Sequence, residues 1–302
     1  MAESASTQTW TLLRMIQWST DYLTARGFES GRLLSERLLA HVLDLRRVDL
    51  YLQFDRPLTP EELARYKRLF LRLVAHEPLQ YLLGETEFMS LLFAVGPGVL
   101  IPRPETELLV EKALARAQVI AAREGAVHII DLGTGSGCIA VSLAQAVAEA
   151  SLVAVDLSAE ALRWAEQNST AHNVSDRVEL VQHDFRNPPL PAWRGKFDLA
   201  VSNPPYIRNG DWQELAEEIR DHEPREALLG GEDGLDAYRS LAQVLPGLLK
   251  PDGEALIEFG DGMAAAVVAL FKQAGFTGSE LYSDLAGRER LVHLFSPGGD
   301  HE

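Results

Sequence analysis

The residues best suited to chemistry stand together at Asn203, Pro204, Pro205 and Tyr206, directly after the apolar run 197–201. The run predicts a buried strand, and the two prolines must end it because neither can donate to a β-ladder. Asn203 should therefore lie in the crevice where open α/β sheets bind ligands. The alternative is a plain Pro-rich turn with a core tyrosine.

These four residues suit a planar NH2 group, such as a side-chain amide or the exocyclic amine of a base. The Asn203 amide and the Pro204 carbonyl supply acceptors, and Tyr206 supplies an aromatic face. Such a nitrogen is a poor nucleophile because its lone pair is delocalised. Two fixed acceptors could hold its hydrogens so that the lone pair points at an electrophile, which is catalysis by orientation and electrostatics without a strong base.

The segment 127–140 reads VHIIDLGTGSGCIA, which predicts a strand, a glycine loop and a helix. Such a loop lets the backbone approach a ligand closely, and the helix offers free N–H groups. A dinucleotide site would need G-x-G-x-x-G, but Cys138 stands in place of the third glycine. We expect Cys138 to be a small buried residue. The candidate binding loop consists of Gly133, Thr134, Gly135, Ser136 and Gly137.

Two later strands end in further candidate ligands. Asp156 follows the second strand, about twenty residues after the loop, where an acid can accept from ribose hydroxyls. A helix cap is the alternative for Asp156, although Ser158 is better placed for that. Asp184 and Phe185 follow the third strand and could bind an adenine amine and stack on its ring. The alternative for this pair is an Asx-type turn with a core phenylalanine.

Composition restricts the choice of partner and compartment. A chain of 302 residues is long enough for two domains, and its net charge of −16 disfavours a grip on a phosphate backbone. An acidic enzyme suits a basic protein partner. Cys138 is the one cysteine, so we expect no internal disulfide, no cysteine zinc site and a reducing cytoplasm. No apolar run is long enough for a transmembrane helix.

Helical periodicity predicts a small all-helical domain over residues 1–85. We expect Ser30 to cap its second helix. Thr59, Pro60 and Glu62 should begin a later helix as N-cap, first-turn proline and capping-box glutamate. None of its residues suggests catalysis, so we interpret it as a docking domain.

Residues 86–101 change to a period near two, which predicts a β-hairpin linking the helical domain to a second domain at 102–302. In this second domain strands alternate with helices, which is typical of a parallel sheet. A fifth strand is predicted at 254–259, after a Pro-Asp-Gly turn. The segments 276–282 and 290–296 should form a terminal antiparallel pair.

Two further segments could meet a substrate. The polar stretch 208–236 contains no strand pattern and predicts a lid or substrate loop with a short helix. Its Glu223 and Arg225 are interpreted by default as solvated. Arg103 lies between two prolines before a helix, and a helix start does not explain it, so we count it as a candidate substrate-binding residue.

With these motifs placed, the chain resembles the S-adenosylmethionine-dependent methyltransferases, and within them the release factor glutamine methyltransferases, the PrmC/HemK family. The resemblance covers nearly the whole chain and includes VLIPRPETELLVE, DLGTGSGCIA, NPPYI and HEPREALLGGEDGL. It implies a Rossmann-like α/β fold with a seven-stranded, mostly parallel sheet and a small all-α N-terminal domain.

The resemblance also implies a cofactor and its site. S-adenosylmethionine would lie along Gly133–Gly137 with its ribose on Asp156, while Asp184 and Phe185 would bind the adenine. Asn203 would border the same site. The product would be S-adenosylhomocysteine, and the reaction needs no metal.

The implied substrate is the glutamine of the Gly-Gly-Gln loop in bacterial peptide chain release factors. Asn203 and the Pro204 carbonyl would hold its amide nitrogen, and Tyr206 would pack against the amide plane. Pro205 and Arg103 would complete the substrate site. The product would be N5-methylglutamine, and the N-terminal domain would contact the body of the factor.

Three alternatives stay open. An N6-adenine-type amino methyltransferase acting on RNA or DNA would use the same Asn203 and Tyr206, but it predicts a basic groove. A non-catalytic protein that kept the fold is the second alternative, and the intact NPPY disfavours it. An NAD-dependent oxidoreductase is the third, and the glycine spacing is wrong for it.

Overall fold

The computed structural model describes residues 9–295, and the chain divides into two compact units, Met1–Gly84 and Glu85–Glu302. The predicted outer limits of the two domains, and the last residue of the strand predicted at 290–296, lie outside the described residues. The first unit is helical over its described part, as expected. Its helices are α1 Leu12–Thr24, α2 Gly31–Leu43, α3 Arg47–Leu52, α4 Pro60–Val74 and α5 Leu79–Leu83.

Local capping explains where two of these helices begin. Thr59 Oγ1 accepts from Glu62 N at 3.2 Å, and Glu62 Oε2 accepts from Thr59 N at 2.9 Å, so the predicted capping box is confirmed. The expectation for Ser30 is wrong, because its side chain makes no capping hydrogen bond although α2 begins directly after it. Tyr66 bridges the buried core of this unit by donating to Ser19 Oγ at 2.8 Å.

The second unit is an α/β sandwich preceded by a short hairpin. The elements are β1 Glu85–Phe88, β2 Leu91–Ala94, α6 Glu107–Glu124, β3 Val127–Leu132, α7 Cys138–Ala146, β4 Ala150–Asp156, α8 Ala159–Ala171, β5 Val178–Gln182, β6 Phe197–Ser202, α9 Glu217–Arg220, α10 Asp236–Leu248, β7 Leu249–Glu258, α11 Ala264–Gln273, β8 Gly278–Ser283 and β9 Glu289–Phe295. The strands β1 and β2 pair with each other as the predicted hairpin, which falls within this unit.

The expected seven-stranded sheet is confirmed, with the order β5-β4-β3-β6-β7-β9-β8. The first five strands of this order are parallel, and β9 and β8 add antiparallel pairings at one side. All six residues of β6 are buried, as its continuous apolar run predicts for a strand covered on both faces.

One strand differs from its predicted extent. The strand β7 begins at Leu249 and not at residue 254, because the predicted Pro-Asp-Gly turn lies inside it as an irregularity. Phe197 pairs with Leu249, but Leu199 pairs with Glu254, so the register shifts between these two points. A bulge of this kind keeps a strand continuous while it absorbs extra residues.

Strand order determines where a ligand can bind. The strand β3 is the first to enter this sheet. The next two strands, β4 and β5, lie on one side of it, and β6 lies on its other side. The carboxyl ends of β3 and β6 therefore meet at a topological switch point, which is where open α/β sheets form a ligand crevice. The glycine loop follows β3, and Asn203 follows β6.

Asn168, on α8, ties the hairpin to the glycine loop. Its Oδ1 accepts from Ala94 N at 2.7 Å, and its Nδ2 donates to Ala94 O at 3.0 Å and to Ser136 O at 2.9 Å. The side chain is buried, with a residue exposure of 1%. These bonds hold the hairpin and the glycine loop together through one side chain.

We predict that Asn168→Ala lowers the free energy of unfolding by about 2–4 kcal/mol, because it removes three hydrogen bonds to buried or partly buried backbone groups. Chemical denaturation followed by circular dichroism measures this. The matched control is Gln167→Ala, one residue earlier on an exposed position of the same helix. Equal stabilities for the two variants would contradict this role for Asn168.

Candidate active site

A cavity of about 560 Å³ opens at the switch point and collects most of the predicted site residues. Three candidates, Gly137, Pro204 and Tyr206, are not among the residues that line it. Segments 98–103 and 224–231 contribute further walls. The predicted residues that do line it are Arg103, Gly133, Thr134, Gly135, Ser136, Asp156, Asp184, Phe185, Asn203 and Pro205.

The glycine loop adopts a conformation that other residues rarely reach. Gly133, Gly135 and Gly137 have φ angles of +82°, +57° and +79°. A Cβ on Gly137 would also lie 3.1 Å from the Ala165 Cβ, so the loop packs tightly on α8. Cys138 is buried at the start of α7, as expected, and burial raises the pKa of its thiol to about 12.

Two buried polar atoms beside this loop have no protein partner within residues 9–295. They are Asp131 Oδ1, at the end of β3, and Ser136 Oγ, in the loop. Asp131 Oδ2 accepts from the Thr134 hydroxyl at 2.7 Å. Burial raises the pKa of Asp131 to about 7, partly offset by this bond. Unsatisfied groups of this kind are expected where a ligand completes the hydrogen bonding.

Asp156 holds the loop from the end of β4. Its Oδ2 accepts from Gly135 N at 2.8 Å, and its Oδ1 accepts from Ser158 N at 2.8 Å. Burial raises the pKa of Asp156, and backbone hydrogen bonds partly offset that rise. Ser158 itself caps α8 by accepting from Ala161 N at 3.1 Å. Asp156 therefore shapes the loop while its carboxylate still borders the cavity.

Asp184 and Phe185 have different surroundings. The Asp184 carboxylate forms the Asx-type turn by accepting from Arg186 N at 2.9 Å, and it also pairs with the Arg186 guanidinium. Bonding to Arg186 lowers the pKa of Asp184. The Phe185 ring lies over the loop, with its Cε1 3.8 Å from where a Cβ on Gly133 would stand. Phe185 thus offers an apolar face to the cavity.

Asn203 is fixed by one hydrogen bond from its amide. Its Nδ2 donates to Thr106 Oγ1 at 2.9 Å, across 97 residues of sequence. This bond commits the NH2 arm of the amide to Thr106, whose residue exposure is 2%. The amide oxygen of Asn203 is therefore the arm left to accept from a ligand. The Pro204 carbonyl likewise receives no protein donor within the part of the chain that is described.

Tyr206 and Pro204 stand behind the cavity wall. A Cβ on Gly260 would lie 2.8 Å from Tyr206 Cδ2, so the tyrosine ring lies against this glycine after β7. Burial raises the pKa of Tyr206. Pro204 is buried and sets the course of the turn.

Arg103 and Glu223 join two walls of the cavity. Arg103 Nη2 donates to Glu223 Oε1 at 2.6 Å, and Ile101 N donates to Glu223 Oε2 at 3.1 Å. The default interpretation of Glu223 as solvated is wrong, since its side chain is 1% exposed. The strongly polar sequence around it concealed a partner 120 residues away. Arg225 is exposed and lies over the Trp212 ring at 4.9 Å.

Sequence reasoning missed three residues at this site: Thr106, Asp131 and Glu258. Asp131 had a visible signal, because an acid inside an apolar strand directly before a glycine loop is costly without a role. Thr106 lies within the segment VLIPRPETELLVE, but its partner Asn203 is 97 residues away in sequence. Glu258 is buried at the end of β7, and only the sheet order places it near Asn203.

Two family models match the chain. The PrmC N-terminal domain matches residues 14–84, and the methyltransferase domain matches residues 129–222. A release factor glutamine methyltransferase from Geobacter sulfurreducens is 44% identical over 94% of this chain and 96% of its own length. One from Nitratidesulfovibrio vulgaris is 39% identical over 95% and 96%.

Among solved structures, the hMettl16 catalytic domain in complex with MAT2A 3'UTR hairpin 6 matches with a TM-score of 0.51 and 14% identity. The match covers 69% of this chain and 77% of that one, and it supports the fold alone. In residues 9–295 no helix is long and apolar enough to cross a membrane. The same residues contain no group of three or more His, Cys, Asp and Glu side chains that could hold a metal ion.

We predict that Asp131→Asn changes how stability depends on pH. In the unfolded chain the Asp131 carboxyl ionises near 3.8, whereas in the folded chain it ionises near 7. Between these values the unfolded state loses the proton first, so the parent loses stability as pH rises through this window. The asparagine variant lacks this loss. Its stability relative to the parent should therefore rise by about 4 kcal/mol from pH 4 to pH 8.

Urea denaturation of both proteins at several pH values measures this difference, and comparing slopes removes any constant effect of the substitution. The control is Asp211→Asn, an exposed position on the loop after β6, which should leave the difference near zero. A relative stability of Asp131→Asn that does not change with pH would show that Asp131 is ionised in the folded protein throughout.

Proposed function

Because the chain belongs to the release factor glutamine methyltransferase family, we propose that it methylates the glutamine amide of the Gly-Gly-Gln loop in a bacterial release factor. The products are N5-methylglutamine and S-adenosylhomocysteine, and one proton of the amide nitrogen is released to water. The observation that carries the proposal is the commitment of the Asn203 NH2 to Thr106. It leaves the Asn203 amide oxygen free at the cavity, next in sequence to the Pro204 carbonyl, which has no protein donor among the described residues.

The residues around the glycine loop fit S-adenosylmethionine. Asp131 Oδ1 and Ser136 Oγ are buried without protein partners among the described residues, and a ligand with a cationic amine and hydroxyl groups can satisfy such atoms. The start of α7 supplies backbone N–H groups for a carboxylate. Asp156 would accept from the ribose hydroxyls, and Phe185 would cover the adenine. When bound, this cofactor supplies an electrophilic methyl group on a sulfonium.

The substrate side of the site works by orientation. The oxygen of Asn203 and the carbonyl of Pro204 would accept the two hydrogens of the glutamine NH2, which turns the nitrogen lone pair toward the methyl group. The developing positive charge on nitrogen is stabilised by the same two acceptors. Tyr206 would pack against the plane of the amide. Arg103 and Pro205 would border the entering loop.

The charges at the cavity favour a protein substrate over nucleic acid. Both arginines of the wall are already paired, Arg103 with Glu223 and Arg186 with Asp184. A site that grips phosphates needs cations free to displace counterions. The other charged residues of the lining are all acidic: Asp156, Glu226 and Asp236.

The direct test is methyl transfer from labelled S-adenosylmethionine to a purified release factor. The matched control is the same factor with the glutamine of Gly-Gly-Gln changed to alanine, and a third reaction contains total RNA. We expect label on the native factor alone. Label on RNA would overturn the substrate and favour the amino methyltransferase of bases, while equal label on both factors would overturn the target residue.

We predict that Asn203→Ala lowers kcat by about 10²- to 10³-fold, because it removes one of the two acceptors that orient the reacting amide. The dissociation constant for S-adenosylmethionine, measured by calorimetry, should stay within a factor of about three. The control is Asn209→Ala, an exposed asparagine six residues later, which should retain the parent kcat. Lost cofactor affinity with unchanged turnover per bound cofactor would contradict this role for Asn203.

We predict that Asp156→Asn weakens cofactor binding by about tenfold, since an amide keeps one acceptor but loses the charge that strengthens bonds from ribose hydroxyls. Equilibrium titration with S-adenosylhomocysteine measures this, and Asp176→Asn, on an exposed turn, is the control. An unchanged dissociation constant would remove Asp156 from the ribose site.

A further inference from the structure

Thr106 and Glu258 are two buried residues near Asn203, and neither belongs to the sequence-predicted site. Thr106 accepts from Asn203 Nδ2 at 2.9 Å. Glu258, at the end of β7, is 3% exposed, and its Oε2 has no hydrogen-bond partner within residues 9–295. Burial raises the pKa of Glu258, and hydrogen bonding with the Thr106 side chain partly offsets this rise. The three side chains therefore form a row from Glu258 through Thr106 to Asn203.

A hydroxyl alone does not determine which arm of the Asn203 amide faces Thr106. A threonine hydroxyl can donate one hydrogen and accept others, so alone it could pair with either arm of an asparagine amide. An ionised carboxylate can only accept. When Glu258 is ionised, it takes the hydroxyl hydrogen, and Thr106 can then only accept from Asn203. The NH2 arm must face Thr106, and the oxygen must face the cavity.

We propose that Thr106 and Glu258 are positioning residues of the methyl transfer, which together fix the Asn203 amide with its oxygen toward the substrate. This inference rests on the proposed function, since it assigns the acceptor that the reaction needs. Neither residue exchanges a proton with the substrate. If the amide turned over, its NH2 would face the NH2 of the glutamine, and two donors would oppose each other.

The environment of Glu258 allows this direction to depend on pH. The pKa of Glu258 is raised to about 7, mainly by burial and also by Glu105, while Thr106, Arg290 and Arg103 lower it. Two tyrosines also interact with this carboxyl, since its charge adds to burial in raising the pKa of Tyr206 and of Tyr238. A protonated Glu258 can donate to Thr106, which frees the hydroxyl to donate to Asn203 in the opposite orientation. The rate should therefore fall as pH drops through about 7.

The first experiment compares Thr106→Val with Thr106→Ser. Thr106→Val keeps a similar shape but removes the hydroxyl, whereas Thr106→Ser keeps the hydroxyl. We expect Thr106→Val to lower kcat by about tenfold or more, with KM for the release factor and the cofactor dissociation constant within about threefold of the parent. Thr106→Ser should retain most of the parent kcat. Equal kcat for the parent and the valine variant would overturn the proposal.

The second experiment measures kcat between pH 5.5 and 9 for the parent and Glu258→Gln. Glu258→Gln keeps the shape of the side chain but has no charge to titrate. The kcat of this variant should be lower than that of the parent at pH 8.5 and should show no step near pH 7. Glu111→Gln is the control, because it makes the same change at an exposed glutamate of α6. It should keep the parent profile. The same step in Glu258→Gln would overturn the role of Glu258.

A third readout does not depend on activity. In NMR spectra of the parent, the Asn203 side-chain NH2 should show an NOE to the Thr106 methyl group at pH 8.5 that weakens at pH 5.5. In Glu258→Gln it should not change with pH. If the parent fails to methylate a release factor while this NOE behaves as expected, the substrate is wrong and the positioning holds. If methylation succeeds and the NOE is absent, the positioning is wrong.

Discussion

In the proposed reaction, the reactivity of this site depends on the direction of one hydrogen bond, from Asn203 Nδ2 to Thr106 Oγ1. A side-chain amide nitrogen has its lone pair delocalised, so no nearby base can make it a good nucleophile in the way that a base activates a hydroxyl. What a protein can do is hold both hydrogens of that NH2 on rigid acceptors. Prolines on either side of one such acceptor, and a buried threonine behind the other, supply that rigidity.

The rest of the second unit places this bond and the proposed cofactor site at one edge of the sheet. The strand β6 brings Asn203 there, β3 brings the glycine loop, and the sheet order makes them neighbours. Much of the support comes from buried carboxylates that each hold particular donors. Asp156 holds the glycine loop, Glu223 joins Arg103 to the loop after β6, and Glu258 faces Thr106. Burying a carboxylate costs folding energy, which a functional site can retain when the geometry it enforces is needed.

How much of this could be predicted from sequence depends on the range of the interactions. The buried strand before Asn203, the glycine loop and the capping box at Thr59 are local patterns, and the structure confirms them. Ser30 shows the limit of such patterns, because a suitable residue type at a helix start does not guarantee a bond. The polar neighbours of Glu223 favour a solvated side chain, but its partner Arg103 is 120 residues away in sequence and the side chain is buried. Glu258 becomes visible only when the sheet order is known.

The most direct test of the account is a crystal structure of the protein with S-adenosylhomocysteine and a release factor fragment that contains Gly-Gly-Gln. The account predicts the glutamine amide nitrogen within about 3 Å of both Asn203 Oδ1 and the Pro204 carbonyl oxygen, with Asn203 Nδ2 still donating to Thr106. A glutamine amide bound elsewhere, or an Asn203 amide that presents its nitrogen to the substrate, would contradict it.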